Sequence, residues 1–226
     1  MPNEPVVLVH GLASSFEHGW RAPGWIDLLS DTGRHVVGVD ILGHGDAARP
    51  HDPAAYADLE SCVADALPDE AVDAIGFSLG AQLLLRLAAA DPARFRRLVV
   101  IGVGANLFRA DATERLATAF EQGAGDDDVG ARVFVSVAGQ AGNDPLAMAA
   151  CLRRPAAPFT HDELARVGCP VLVILGDQDF AGPADALLDA LPDARLVTLR
   201  GIDHFQSPRE FGCIDAALEF IDAVPP

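Results

Sequence analysis

The sequence predicts an α/β protein built on a mostly parallel sheet of about six strands, with flanking helices and one helical insertion. Short β-branched runs alternate with stretches of strong helix formers, the rhythm of β–α–β units joined by right-handed crossovers. Most of those runs are nearly continuously apolar rather than alternating, as strands covered on both faces require. A single interruption of more than sixty residues, between Gly102 and Val171, breaks the rhythm and marks the insertion.

The first strand is predicted over Pro5–Val9, followed by a helix near 24–31 and a second strand over His35–Val39. A helix over 54–67 leads to the third strand, Val72–Ile75, and the Ala- and Leu-rich run 79–90 follows as a helix. Leu98–Ile101 is the fourth strand. The long connection carries helical patterns at 111–122, 127–138, 144–153 and 160–167, although Val133-Phe134-Val135-Ser136-Val137 equally suits a strand. A connection of this size is too long for a plain loop. We therefore divide the chain into a core of residues 1–103 and 169–226 and a helical cap of residues 104–168. Strands at Val171–Leu175 and Arg195–Leu199, with helices at 183–191 and 209–223, complete the core.

Composition narrows the function. Of 226 residues, 50% are hydrophobic and 22% charged, enough to bury one sizeable core. No window approaches a membrane span, and Met1-Pro2-Asn3-Glu4-Pro5 lacks the basic start of a signal peptide, so a cytoplasmic protein is expected. Thirty-three acidic residues against 16 basic ones give a net charge of −17, which disfavours binding to nucleic-acid phosphates. Every basic residue is arginine, so chemistry based on a lysine Schiff base is excluded. Cys62, Cys151, Cys169 and Cys213 are scattered without Cys-x-x-Cys spacing and are expected as buried free thiols. His18, His35, His51 and His161 have no partner at metal-ligand spacing. Gly102-Val103-Gly104 lacks the third glycine of a dinucleotide loop, since position 107 is Leu. Asp126-Asp127-Asp128 lacks the alternation of a calcium loop.

Chemistry concentrates at Gly76-Phe77-Ser78-Leu79-Gly80, a Gly-x-Ser-x-Gly sequence between the third strand and its helix. In such a nucleophile elbow the turn is tight, its flanks must be small, and the serine hydroxyl projects above the sheet edge. A serine hydroxyl needs an imidazole to take its proton and a carboxylate to orient that imidazole. Gly176-Asp177-Gln178-Asp179 follows the fifth strand, and Gly201-Ile202-Asp203-His204-Phe205 follows the sixth. The order serine, acid, histidine on one carboxyl edge is more specific than the pentapeptide alone. Either Asp177 or Asp179 satisfies it, whereas Asp203 is assigned to the surface.

With these features the chain resembles the α/β-hydrolase superfamily over nearly its whole length. Val9-His10-Gly11-Leu12 looks like the family's oxyanion loop, and Asp40-Ile41-Leu42-Gly43-His44-Gly45 like its Asp-x-x-Gly-x-Gly segment. The chain begins where the family's third strand usually stands. The resemblance implies Ser78 as nucleophile and His204 as general base. It selects Asp179 as the acid, because the family's carboxylate sits three residues after the glycine. It also implies the backbone N–H groups of Leu12 and Leu79 as the oxyanion hole, with His10 and His44 structural, and it calls for no metal or cofactor. Phe16, Trp20, Trp25 and Phe205 are candidates to line an apolar acyl pocket, with Phe16, Trp20 and Phe205 taken as the substrate-binding residues; Phe77 is expected to pack on the sheet. The implied activity is a carboxylesterase-like serine hydrolase acting on an ester, lactone or related acyl bond of a small molecule. The same triad serves C–C bond hydrolases, perhydrolases and slow-turnover ligand receptors, and the sequence does not choose among them.

Overall fold

The computed structural model describes residues 4–109 and 113–224. Its six strands are β1 (Val6–Val9), β2 (Val36–Val39), β3 (Val72–Phe77), β4 (Phe95–Ile101), β5 (Val171–Gly176) and β6 (Ala194–Leu199). They form one sheet in the order β2-β1-β3-β4-β5-β6, parallel throughout. The near-continuous apolar runs follow from burial on both faces. Val7 and Val9 of β1 join one core cluster, and Val6 and Leu8 join the other. Each fully buried aliphatic side chain contributes about 1.5–3 kcal/mol.

Helices α1 (Trp25–Asp31), α2 (Leu59–Ala64), α3 (Leu79–Ala90), α4 (Thr113–Gln122), α5 (Val129–Gln140), α6 (Pro145–Leu152), α7 (His161–Leu164), α8 (Asp185–Ala190) and α9 (Phe211–Phe220) follow in chain order. Helices α1 and α9 cover one face of the sheet, and α2, α3 and α8 cover the other. Arg34 is buried beneath the first of these layers. It pairs with Asp73 of β3 and donates to the carbonyls of Glu4 and Ile221, each at 2.8 Å, joining the two ends of the fold.

The chain runs from β1 outward to β2, then back past β1 to β3. Connections therefore leave the ends of β1 and β3 in opposite directions, opening a crevice where α/β sheets bind ligands. Val9 pairs with Gly76, so the loops after both strands start level with each other.

Helices α4, α5 and α6 stand over this edge with a small core of their own. Ala117, Phe120, Ala138, Met148 and Leu152 pack there with Ala13, which comes from the loop after β1. Residues 133–137 are helical, within α5, although β-branched residues favour strand there. Asp128 caps the helix by accepting from the Ala131 amide at 3.1 Å, and Phe134, Val135 and Val137 pack against the small core. The predicted helix 111–122 runs from Thr113; positions 111 and 112 lie outside the described residues.

Elsewhere the predicted helix 54–67 is a 3-10 turn over Pro53–Tyr56 and then α2, because Asp58 starts a new helix by accepting from the Ser61 amide at 3.2 Å. Of the predicted stretch 160–167 only four residues are helical, and a 3-10 turn over Ser207–Arg209 precedes α9. Cys151, Cys169 and Cys213 are buried and free, and burial raises all three thiols; Cys62 is only partly buried.

Candidate active site

Ser78 stands where β3 becomes α3, and the turn there is as tight as its glycines demand. Its backbone is held at φ 51°, ψ −112°, a conformation L residues rarely adopt. A Cβ on Gly76 would lie 2.7 Å from the Ala81 nitrogen, and one on Gly80 would lie 2.6 Å from the His10 carbonyl oxygen. Neither position admits another residue without backbone movement. The Ser78 amide donates to the Ile101 carbonyl at 2.8 Å, which fixes the turn on β4.

The loops after β5 and β6 bring the other two predicted residues to the same point. His204 Nε2 lies 3.0 Å from Ser78 Oγ, and its Nδ1 lies 2.9 and 3.0 Å from the two Asp179 oxygens. Asp179 also accepts from the Ala181 amide at 2.8 Å. Both Asp179 and His204 are buried, where hydrogen bonds are strong and water competes little. Asp177 is exposed and accepts from the Gly201 amide at 2.7 Å, and Asp203 is exposed and tied to Gln206. Of the two aspartates, Asp179 is the one in contact with the imidazole.

The Leu79 amide is in the first turn of α3 and has no intrahelical acceptor. Leu12 is in the loop after β1, and its amide makes no backbone hydrogen bond among the described residues. Two anchors hold that loop. From below, Asp40 accepts from the amides of Phe16 at 2.7 Å and Asp46 at 3.0 Å. Burial opposes ionisation of Asp40, but the His10 ring and these two amides outweigh it and hold the carboxyl at about 2. From above, buried Asn143 donates to the carbonyls of Ala13 and Ser14, both at 2.8 Å, and accepts from the Gly45 amide at 2.9 Å. His10 is structural in its contacts, with Nδ1 2.8 Å from the Gly11 carbonyl oxygen and Nε2 accepting from the Ile41 amide at 3.2 Å. Burial above all drives the pKa of His44 down to about 3.

Two cavities meet at Ser78, with Leu12 and Phe134 on the wall of each. The smaller, about 140 Å³, is bounded by Trp20, Phe205, His18, Gln140 and Arg209. Burial and the neighbouring Arg209 both lower the pKa of His18. The larger, about 380 Å³, runs under α4 and α6. Trp20 and Phe205 therefore reach the site, whereas Phe16 does not. Its ring lies against Gly38 of β2, in the space a side chain there would fill, because Asp40 fixes its backbone. Trp25 is also remote, packed under α9 with its indole N–H on the Pro208 carbonyl at 2.8 Å. Phe77 packs with the sheet cluster, as expected, but its ring also lies 4.9 Å from the imidazole.

Four contributors escaped sequence reasoning. The Phe180 ring lies 4.3 Å from the His204 ring, tilted 36° to it, and Phe134 meets Phe205 edge-on at 4.9 Å. Gly102, at φ +70°, lies under the imidazole, where a Cβ would come 3.0 Å from His204 Cε1. Asn143 is the fourth. Only Gly102 carried a signal, as a glycine directly after a buried strand. Among the described residues, no group of three or more His, Cys, Asp or Glu side chains could hold a metal ion, and no helix is long and apolar enough to cross a membrane.

Comparison with known proteins agrees with this architecture. The family described as alpha/beta hydrolase fold matches residues 4–124. The pimeloyl-[acyl-carrier protein] methyl ester esterase of Nitrosomonas europaea is 30% identical, over 93% of this chain and 94% of that protein. The 2-hydroxy-6-oxo-2,4-heptadienoate hydrolase of Pseudomonas putida is 38% identical over 106 residues, which span 43% of this chain but only 37% of that enzyme. Among solved structures, a bromoperoxidase from Bacillus anthracis superposes with a TM-score of 0.74 at 22% identity, covering 97% of this chain and 92% of that one. The enol-lactonase from Burkholderia xenovorans LB400 gives 0.70 at 24% identity, covering 98% and 92%. At these identities the structural likeness speaks for the fold alone.

Proposed function

This chain belongs to the alpha/beta hydrolase fold family, and from that premise we propose that it is a serine hydrolase cleaving a carboxylic ester, lactone or related acyl bond. The observation that carries the reading is the unbroken hydrogen-bonded row from Asp179 through His204 to Ser78. Ser78 Oγ attacks the substrate carbonyl while His204 Nε2 takes its proton. The amides of Leu12 and Leu79 receive the oxyanion, as preorganised donors whose orientation costs nothing at the moment of reaction. Asp179 keeps the imidazole in the tautomer that accepts at Nε2 and stabilises the imidazolium. His204 then returns the proton to the departing alcohol, leaving an acyl group on Ser78. Water, deprotonated by the same imidazole, attacks the ester and releases the acid, restoring the hydroxyl. Every step runs through side chains and amides of the chain itself.

The helical segment of residues 104–168 acts in this reading as a cap that walls the acyl site and limits access of water. Ester cleavage is favoured because the relative aligned along nearly its whole length is a methyl ester esterase, whereas the 2-hydroxy-6-oxo-2,4-heptadienoate hydrolase is aligned over a minor part of its own length.

Steady-state hydrolysis of p-nitrophenyl acetate, butyrate and octanoate, with Ser78→Ala as control, tests the proposal. The wild type should turn over repeatedly, and kcat should fall by roughly 10⁵–10⁶ in the variant with its fold intact. Comparable turnover in Ser78→Ala would refute the role of Ser78. A single burst without turnover would favour a ligand receptor.

A further inference from the structure

We propose that the larger cavity beside Ser78 is built for an acyl chain ending in a carboxylate, which Arg154 and Arg109 hold; the inference rests on Ser78 being the nucleophile. The charge of its wall is the first observation. Two arginines line this cavity and, among the described residues, no aspartate or glutamate does, in a chain with 33 acidic residues against 16 basic ones. The smaller cavity beside Ser78 repeats the pattern, with Arg209 and, among the described residues, no carboxylate. An anion approaching so acidic a protein meets repulsion over most of its surface, and a low-dielectric cleft lined by one sign of charge reverses it locally.

The second observation is what the guanidinium groups are left to do. Arg153 is occupied by Glu114 and Glu121, and Arg86 by Glu163. Arg154, next in sequence to Arg153, has no carboxylate partner among the described residues, and neither does Arg109. Arg154 is half-buried, and one of its terminal nitrogens donates to the Cys151 carbonyl at 2.8 Å. That bond anchors one end of the group and leaves Nε and the other terminal nitrogen without a partner among the described residues, the two donors a carboxylate accepts from in a two-point contact.

Size and lining agree. A cavity of about 380 Å³ lies in the range of small-ligand sites. Leu107, Leu116, Leu152 and Phe159 add apolar wall to the cavity that Ser78 and the two arginines share. A substrate matching this lining has a reactive carbonyl for Ser78, a hydrocarbon chain for the apolar wall, and a terminal carboxylate for the arginines.

The test compares mono-p-nitrophenyl esters of linear dicarboxylic acids, from butanedioic to octanedioic, with the same compounds carrying a methyl ester at the far end. At the best-fitting length, kcat/KM should favour the free acid by about tenfold to a hundredfold, the worth of one or two charge-assisted hydrogen bonds. The preference should shrink as salt is raised and collapse towards one in the Arg109→Gln/Arg154→Gln protein. Equal kcat/KM for acid and methyl ester at every length would overturn the proposal, as would a preference that survives in the double variant. Calorimetric titration of hexanedioate against hexanoate reads the same subsite without turnover. Tighter binding of hexanedioate with no ester hydrolysis would leave the subsite standing and refute the hydrolase reading. Hydrolysis of both esters with no charge preference would do the opposite.

Discussion

Replacing Asn143 with alanine should loosen the loop that presents the Leu12 amide. The side chain is buried at 6% exposure and makes three hydrogen bonds, two as donor to Ala13 and Ser14 and one as acceptor from Gly45. Each is worth about 1 kcal/mol net, and a buried group left without a partner costs about 1–3 kcal/mol. Water entering the vacated space recovers part of this, so the expected loss is roughly 2–4 kcal/mol. The bond to Ala13 acts on a strained residue, since Ala13 sits at φ 67°. Once released, it can relax, and Leu12 moves with it. Loss of one oxyanion donor costs about 10²–10³ in kcat, so partial displacement should lower kcat by roughly tenfold to a hundredfold with little change in KM. Urea unfolding alongside ester kinetics would read both effects. Asn143→Asp sharpens the test: it has nearly the same shape but sets acceptors against two carbonyls, so it should be at least as damaging. A protein with Ala at 143 that keeps its kcat within twofold and its stability within 0.5 kcal/mol or so would refute the reasoning.

Two further outcomes are expected. Asp179→Asn should lose about 10⁴ in kcat through the wrong imidazole tautomer, as measured on the preferred ester, and near-normal activity would transfer the role to Asp177. His44 has a folded pKa near 3, below its ordinary 6.5, so the unfolded chain alone takes up its proton between those values. Its contribution to stability is therefore complete above pH 6.5 and is lost as pH falls towards 3, by roughly 1.4 kcal/mol per pH unit. Urea unfolding from pH 7 to 5 should show this slope in the wild type and a reduced one in His44→Gln; equal slopes would exclude His44 as its source.

The legible parts of this molecule are those encoded locally. The strands announced themselves because both faces of the sheet are covered, so Val6 to Val9 or Val171 to Leu175 could be apolar without interruption. Ser78 and His204 were readable because each sits in a short turn after a strand, and parallel strands carry their following loops to one edge; the same reasoning left Asp177 beside Asp179, and only the family resemblance separated them. Contacts across the chain were not readable. Asn143 meets Ala13 across 130 residues, and nothing around it in sequence distinguishes it from a loop asparagine. Phe16 follows the oxyanion loop but turns away, a direction set by Asp40 and by the missing side chain of Gly38. Residues 133–137 have strand propensity, and packing on Ala13 and Phe120 overrides it. The arginine count was plain, but which guanidinium groups find a carboxylate depends on how the helices stack.

The small core formed by α4, α5 and α6 is closed by Ala13, a residue of the sheet's own loop. The helical segment is therefore not an exchangeable module. A chimera that imports this segment from a relative would bring helices shaped around a different loop, and would leave Ala13 either clashing or exposed. Functional grafts should succeed only when residues 12–13 travel with the helices, and divergence of substrate range in such proteins should be accompanied by change at that loop.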